Sequence, residues 1–373
     1  MRPTRTTWGS RWGGVLRFRA QYCVLLSCLS ACATPRGGEI GPGYFLQAAL
    51  GQLEISNRAR PISEVLRDQK ISSRTRKALA SVASIKSFAE SEGLRQTKNY
   101  EDYADLKRQA VVWVVSASEP LRLEVQAWKF PIVGSFTYLG WFDSDDGEAF
   151  RRSLSAAGYD ADLRPARAYS TLGWFRDPLL STMIPDDSHF GDLVEVVLHE
   201  SVHASLHLKN QSTLNESIAQ FLGEKLAIKY LESQGPQFAT QLKIYQDSLV
   251  NDKKRSEVFR LAYRELEKVF SSKRSDQEKL EHKNRIFEKL RKDLQWPSER
   301  PLNNATLAQF STYESSPEGL EALWRECGFS VARVFEAIAT WSDRDDRIRT
   351  GTEIRSQHLD EALSKMKTQC RSL

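Results

Sequence analysis

Acidic residues are missing from the first 31 positions, although Arg2, Arg5, Arg11, Arg17 and Arg19 all lie there. The formal net charge of +5 is therefore a property of that leader: without its five arginines, 48 bases face 48 acids. A body with no net charge has no global basic field, which argues against nucleic acid as a partner. Long apolar runs are missing near the start as well. Residues 22–31 form a run of ten, about half of what a membrane-spanning helix needs. No internal repeat is visible, and no Gly-x-Ser-x-Gly elbow that would point to serine-nucleophile hydrolysis. Cysteine is scarce: of five, Cys23 and Cys28 lie in the leader, Cys32 directly follows it, and only Cys327 and Cys370 lie further on. Those two could form one disulfide, but their spacing leaves open whether they meet. What is present, 40% hydrophobic and 27% charged residues over 373 positions, is enough to bury a core as one large domain or two modest ones.

The leader reads as an export signal: an arginine-bearing region, a short apolar run, then small residues. The run ends Leu29-Ser30-Ala31-Cys32, which resembles the lipobox of bacterial lipoproteins, where cleavage before the cysteine leaves it carrying lipid. That resemblance implies a signal peptide at 1–31, lipidation of Cys32, and attachment to a membrane through that anchor. Ala33 after the cysteine implies delivery to the outer membrane, facing the periplasm. Residues 37–43, Gly-rich and ending Gly-Pro-Gly, suit a tether over 32–43.

Beyond the tether, residues 44–94 read as helices. Leu46, Ala49, Leu50 and Leu53 fall at helical spacing, and the stretch ends at Glu92-Gly93. Residues 111–115, 121–130, 134–142 and 167–175 are β-branched and aromatic runs bounded by Pro, Gly and Asp, so they read as strands, with a crossover helix at 148–157. From about residue 188 the pattern is helical throughout. Residues 237–295, dense in charge with Phe259, Leu261, Leu266 and Phe270 between, read as a helical hairpin with a solvated outer face. These patterns divide the body into a helical and β-sheet lobe, 44–187, and a helical lobe, 188–373.

The chemistry concentrates at residues 199–203, His-Glu-Ser-Val-His. Leu193, Val194, Val197, Leu198 and Val202 make this a buried helix, with Asp186, Asp187 and Ser188 as candidates to cap its start. One turn apart, His199 and His203 differ by about 40° in azimuth, so both imidazoles can reach one cation. Glu200 lies beside them, close enough to serve as general base. Catalytic Zn²⁺ takes three protein ligands and keeps a fourth position open. Asn215-Glu216-Ser217 begins a second apolar-patterned helix after a link long enough to turn the chain back, so Glu216 is the expected third ligand. His207 could sit near the pocket one turn further on, although an exposed or satisfied histidine is the commoner case. His189 reads as surface or capping, and His282 and His358 as solvated.

The chain is similar to a family of exported zincins, the bacterial predicted aminopeptidases. The resembling residues are the Gly43-Tyr44-Phe45-Leu46 stretch over 43–52, Phe130-Pro131-Ile132-Val133-Gly134, Tyr169-Ser170-Thr171-Leu172-Gly173 on to Thr182, His199-Glu200-Ser201-Val202-His203, Asn215-Glu216-Ser217 and Asn303-Asn304-Ala305. The resemblance implies metal ligands at His199, His203 and Glu216, the base at Glu200, and removal of N-terminal residues from peptides. Two features depart from well-known gluzincin aminopeptidases: there is no Gly-x-Met-Glu-Asn strand, and Gln220 stands where some carry an Asp that orients the first histidine. In gluzincins a Tyr or His beyond the ligands stabilises the oxyanion, and Tyr313 is the leading candidate here. Zincins also bind substrate backbone along an edge strand before the active helix. Tyr169, Ser170, Thr171, Leu172 and Gly173 could be that strand, or its aromatic neighbours could be core.

The resulting expectation is an α+β, zincin-like fold: N-terminal helices and a small, mostly antiparallel sheet packed on a mainly helical lobe, with the active helix at the junction. The expected activity is that of a zinc metallopeptidase acting on peptides. The competing readings are a non-catalytic binding lipoprotein and a zinc amidase of cell-wall fragments.

Overall fold

The computed structural model describes residues 40–130, 134–169, 176–186, 189–313, 317–354 and 358–371. Its first helix, α1 (Pro42–Arg58), opens with proline at the position where a missing N–H is harmless. Strand β1 (Ala59–Pro61), the single turn α2 (Ile62–Val65) and helix α3 (Ser73–Ser91) follow. Ser72 Oγ accepts from Thr75 N at 3.0 Å to start α3. Gly93, at φ 93°, ends it as Leu94 N donates to Ala89 O. The expected helices are present, yet Leu46, Leu50 and Leu53 point outward. Gly51 and Ile55 are buried instead. Gly51 lies against the Phe142 ring so closely that an added Cβ would stand 2.1 Å from a ring carbon.

Strand β2 (Asp102–Ala104) pairs antiparallel with β1 and parallel with β8 (Leu179–Leu180). A second sheet has β3 (Val112–Ser118) at its centre, antiparallel to both β6 (Leu139–Trp141) and β7 (Asp160–Ala166). Strands β4 (Trp128–Phe130) and β5 (Gly134–Phe136) form a separate hairpin. Helix α4 (Ser144–Ala156) packs on β3 and β7. It starts four residues earlier than expected because Asp143 caps it, accepting from Asp145 N at 2.8 Å.

Several strand expectations need correction. Of 121–130 only the last three residues are a strand, and Val125 makes a single bridge to Ser118. The run 134–142 splits in two. The strand that follows α4 is Asp160–Ala166, paired along β3, rather than 167–175. Residues 167–169 lie beyond that strand, and Ser170, Thr171, Leu172 and Gly173 fall outside the described residues. Nor does a Tyr169 strand lead directly into the active helix, since β8 and a 3₁₀ turn at Ser181–Met183 intervene.

The rest of the described chain is helical: α5 (Phe190–Ser205), α6 (Ser212–Ser233), α7 (Ala239–Phe270), α8 (Asp276–Asp293), α9 (Asn304–Tyr313), α10 (Pro317–Glu326), α11 (Val331–Ser342), α12 (Asp346–Thr350) and α13 (Leu359–Cys370). The expected charged hairpin is α7 with α8, closed on Phe259, Ala262, Leu266 and Val269 against Ile286, Phe287 and Leu290. Leu261 is outside this seam and exposed. Cys327 and Cys370 form a disulfide, Cα atoms 5.1 Å apart, that ties α13 to the end of α10. The main core collects residues from Ile55 to Cys370, and α5 runs through it with Leu193, Val194, Val197, Leu198 and Val202 wholly buried.

The Asn303-Asn304 pair is a joint between the helices and the sheet. The fully buried Asn304 amide faces the carbonyls of Glu119, Pro120 and Arg122 at 3.0, 3.0 and 2.9 Å. Its backbone N–H donates to Asp160 Oδ2, which also accepts from Lys283 of α8. Asn304→Ala strands these carbonyls, so denaturant unfolding should show a loss of about 1–3 kcal/mol; unchanged stability would remove Asn304 from this role.

Candidate metal centre

Helix α5 carries His199, Glu200 and His203 on one stretch and packs along α6. It starts at Phe190 with His189 as the capping position, rather than at a side-chain cap. His189 is exposed and its Nδ1 lies 2.7 Å from Asp186 Oδ1, while Asp187 and Ser188 fall outside the described residues. The turn between the helices is pinned by Asn215, whose Oδ1 accepts from Leu208 N at 2.9 Å while its Nδ2 donates to Leu208 O at 2.8 Å. Asn210 takes the left-handed conformation, φ 60°, that reverses the chain. Helix α6 begins at Ser212, so Glu216 sits in its second turn rather than at its start.

This arrangement brings three side chains together. The two Nε2 atoms of His199 and His203 are 3.1 Å apart, and Glu216 places Oε2 3.6 Å from the first and Oε1 3.5 Å from the second. The rings stand at 80° to each other. Among the described residues these are the group of histidine, cysteine and acidic side chains that could hold a metal ion. Zn²⁺ bound at about 2.0–2.1 Å in tetrahedral geometry separates its ligand atoms by roughly 3.3 Å, and the three distances bracket that value. The donor set fits the ion.

Charge is balanced locally. Burial opposes protonation of His199, but Glu216, Glu200 and Glu195 together hold its pKa above the usual range. Burial pushes Glu216 up, and the contacts with both imidazoles outweigh this and bring it to about 2. Glu200 is not one of the converging ligands; burial raises its pKa, with His199 and His203 opposing. Burial thus favours the protonated form of the Glu200 carboxyl more than it would at an exposed glutamate.

Two neighbours of the centre, Glu195 and Tyr100, are not singled out by the sequence pattern. Glu195, one turn before His199, accepts from Tyr245 OH at 2.7 Å and from Gln220 Nε2 at 2.7 Å, and Gln220 also donates to Glu224 Oε1 at 2.8 Å. Gln220 therefore has a reason to be an amide: an aspartate there would set a third carboxylate against two others. The spacing of Glu195 from His199 was the available signal. Tyr100 is buried with φ 62° and donates its N–H to Asp177 O at 2.8 Å; burial, then Glu200 and Asp177, raise its hydroxyl pKa well above the ordinary value. No sequence pattern announces that backbone.

The other candidates are dispersed. Tyr169 is half-buried on the main core with its ring 5.8 Å from Phe142, the aromatic-core role. Tyr313 is the last residue of α9, which packs against α6, and its side chain lies outside the described residues. His207 is exposed beyond the end of α5, His282 is half-exposed on α8, and His358 is exposed before α13. Cys32 lies outside the described residues.

Fold and site together define an α+β protein with a His-His-Glu group, able to hold a metal ion, on two packed helices. A family model described as "Putative aminopeptidase" matches residues 43–352, and the chain belongs to that family. No curated protein and no solved structure matches it.

The helices meet at Gly223 of α6, where an added Cβ would stand 3.2 Å from His199 Cβ and 3.3 Å from its Cα. Gly223→Val should push His199 away from Glu216 and weaken metal binding roughly tenfold or more, as changes beside metal ligands do. Competition with a chromogenic chelator measures it, and an unchanged affinity would show that the approach is not needed.

Proposed function

We propose that this protein is a zinc-dependent metallopeptidase of the gluzincin kind that removes N-terminal residues from peptides. Lipid on Cys32 would hold it at the outer membrane, facing the periplasm. The observation that carries the reading is the convergence of His199, His203 and Glu216 at 3.1 to 3.6 Å with Glu200 on the same helix. An apolar helix bearing both histidines, followed by a packed helix bearing the glutamate, is also what a zincin-like fold requires. Membership of an aminopeptidase family supports the class of bond.

When bound, zinc would supply a Lewis acid for the scissile carbonyl and lower the pKa of water. The chain's own residues do the rest. Glu200 takes the proton from the attacking water and delivers it to the departing amine, a role for which a raised pKa is suited. Tyr100, its hydroxyl kept protonated by burial and by Glu200, joins Tyr313 as a candidate donor for the developing oxyanion.

The zinc-loaded protein should cleave peptides with free N-termini and spare the same peptides when acetylated. Glu200→Ala should keep its metal and lose about 10²–10⁴-fold in kcat, whereas His203→Ala should lose the metal. Cleavage by Glu200→Ala at the wild-type rate would sink the mechanism, and internal cuts in acetylated peptides would sink the exopeptidase assignment.

A further inference from the structure

Helix α1 presents an apolar face to solvent. Leu46 and Leu50 are each 56% exposed and Leu53 40%, three of the seven large hydrophobic side chains most exposed among the described residues. With the exposed Ala49 they occupy positions i, i+3, i+4 and i+7, one stripe along the helix, and no charged side chain interrupts it. The opposite face is committed to the body: Gly51 against Phe142, Ile55 in the core, Gln47 bonded to Gly140 O and Phe142 N. The stripe therefore cannot turn inward by rolling the helix. At its N-terminal end, Tyr44 and Phe45 pack with Phe130 and Trp141, and the exposed Tyr138 directly precedes β6, which packs against α1. Aromatic rings beside an apolar stripe suit the boundary between water and hydrocarbon.

We infer that this face of α1 docks on a lipid bilayer and sets how the body lies on the membrane. The inference rests on the reading of Cys32 as a lipid anchor. Pro42, the first residue of α1, is ten positions after Cys32, so the chain between them reaches at most about 35 Å. The first helix of the body is therefore held within reach of the surface in which the anchor is buried. A second copy of the chain is a poorer occupant, because three leucines on two helical turns fall far short of the roughly 800 Å² per partner of a stable interface. The anchor supplies attachment without orientation. An amphipathic face a short tether away, sunk about 5–10 Å into the headgroup boundary, supplies orientation.

The test uses the full chain, processed in a bacterial host, extracted in detergent and reconstituted into phosphatidylethanolamine and phosphatidylglycerol vesicles, some containing brominated lipid. An environment-sensitive probe is attached at Leu50→Cys or, for comparison, at Val250→Cys on α7, where the native side chain is 51% exposed. The Leu50→Cys probe should shift to shorter wavelength and be quenched by brominated lipid at least about twice as strongly as the Val250→Cys probe. Equal quenching at the two positions overturns the inference, as does a shift that follows protein concentration in the absence of lipid. Intact mass is read on the same sample. Absence of acyl groups on Cys32 overturns the anchor, while the quenching contrast separately decides whether α1 docks.

Discussion

Two helices approach closely at one point because a side chain is missing there. Gly223 lets α6 come within van der Waals reach of the backbone of His199, and the buried leucines and valines along both helices hold that approach. Helical periodicity then places His203 one turn above His199, and Asn215 closes the link so that Glu216 faces both. The sheet contributes nothing to this convergence directly. It is stitched to the helices from outside, at Asn304, Lys283 and Asp160.

The electrostatic cost of the arrangement is large. Glu195, Glu200, Glu216 and both histidines sit in or beside an apolar core where isolated charges are strongly disfavoured. Each is compensated in a different way. Glu195 is held by a phenol and an amide. Glu216 faces both imidazoles, and its pKa is lowered while that of His199 is raised. Glu200 lies among these groups without entering the triad, and burial raises its pKa. A divalent cation would fit between the two facing imidazole nitrogens and the Glu216 carboxylate. The buried polarity of the centre is thus matched to a positive charge.

What the sequence revealed follows from the range of the interactions involved. His199, Glu200 and His203 were legible because one turn of helix relates them, and Glu216 because a short link between two apolar helices permits little besides an antiparallel return. The family was legible from motifs spread along the chain. Strand Asp160–Ala166 was not, since Asp160, Asp162 and Pro165 are poor strand formers and only pairing with β3 over its whole length makes them one. The stripe Leu46-Leu50-Leu53 revealed a helix but not which side meets the core. That was decided by Gly51, small enough to lie on an aromatic ring. Tyr100 and Gln220 owe their places to a left-handed backbone and to a carboxylate on another helix, neither of which local pattern encodes.

The bridge between Cys327 and Cys370 closes a loop that contains helices α11, α12 and α13 and the segment gripped by Gln211, which donates to Thr352 O at 2.8 Å and accepts from Ile354 N at 2.9 Å. Topologically, a single backbone break anywhere within that loop leaves two fragments still joined by a covalent bond. A break beyond Ile354 also leaves the grip on the α5–α6 link in place. The segment between the two cysteines, which are 43 positions apart, therefore stays covalently joined to the rest of the molecule after a single nick for as long as the oxidised bond lasts.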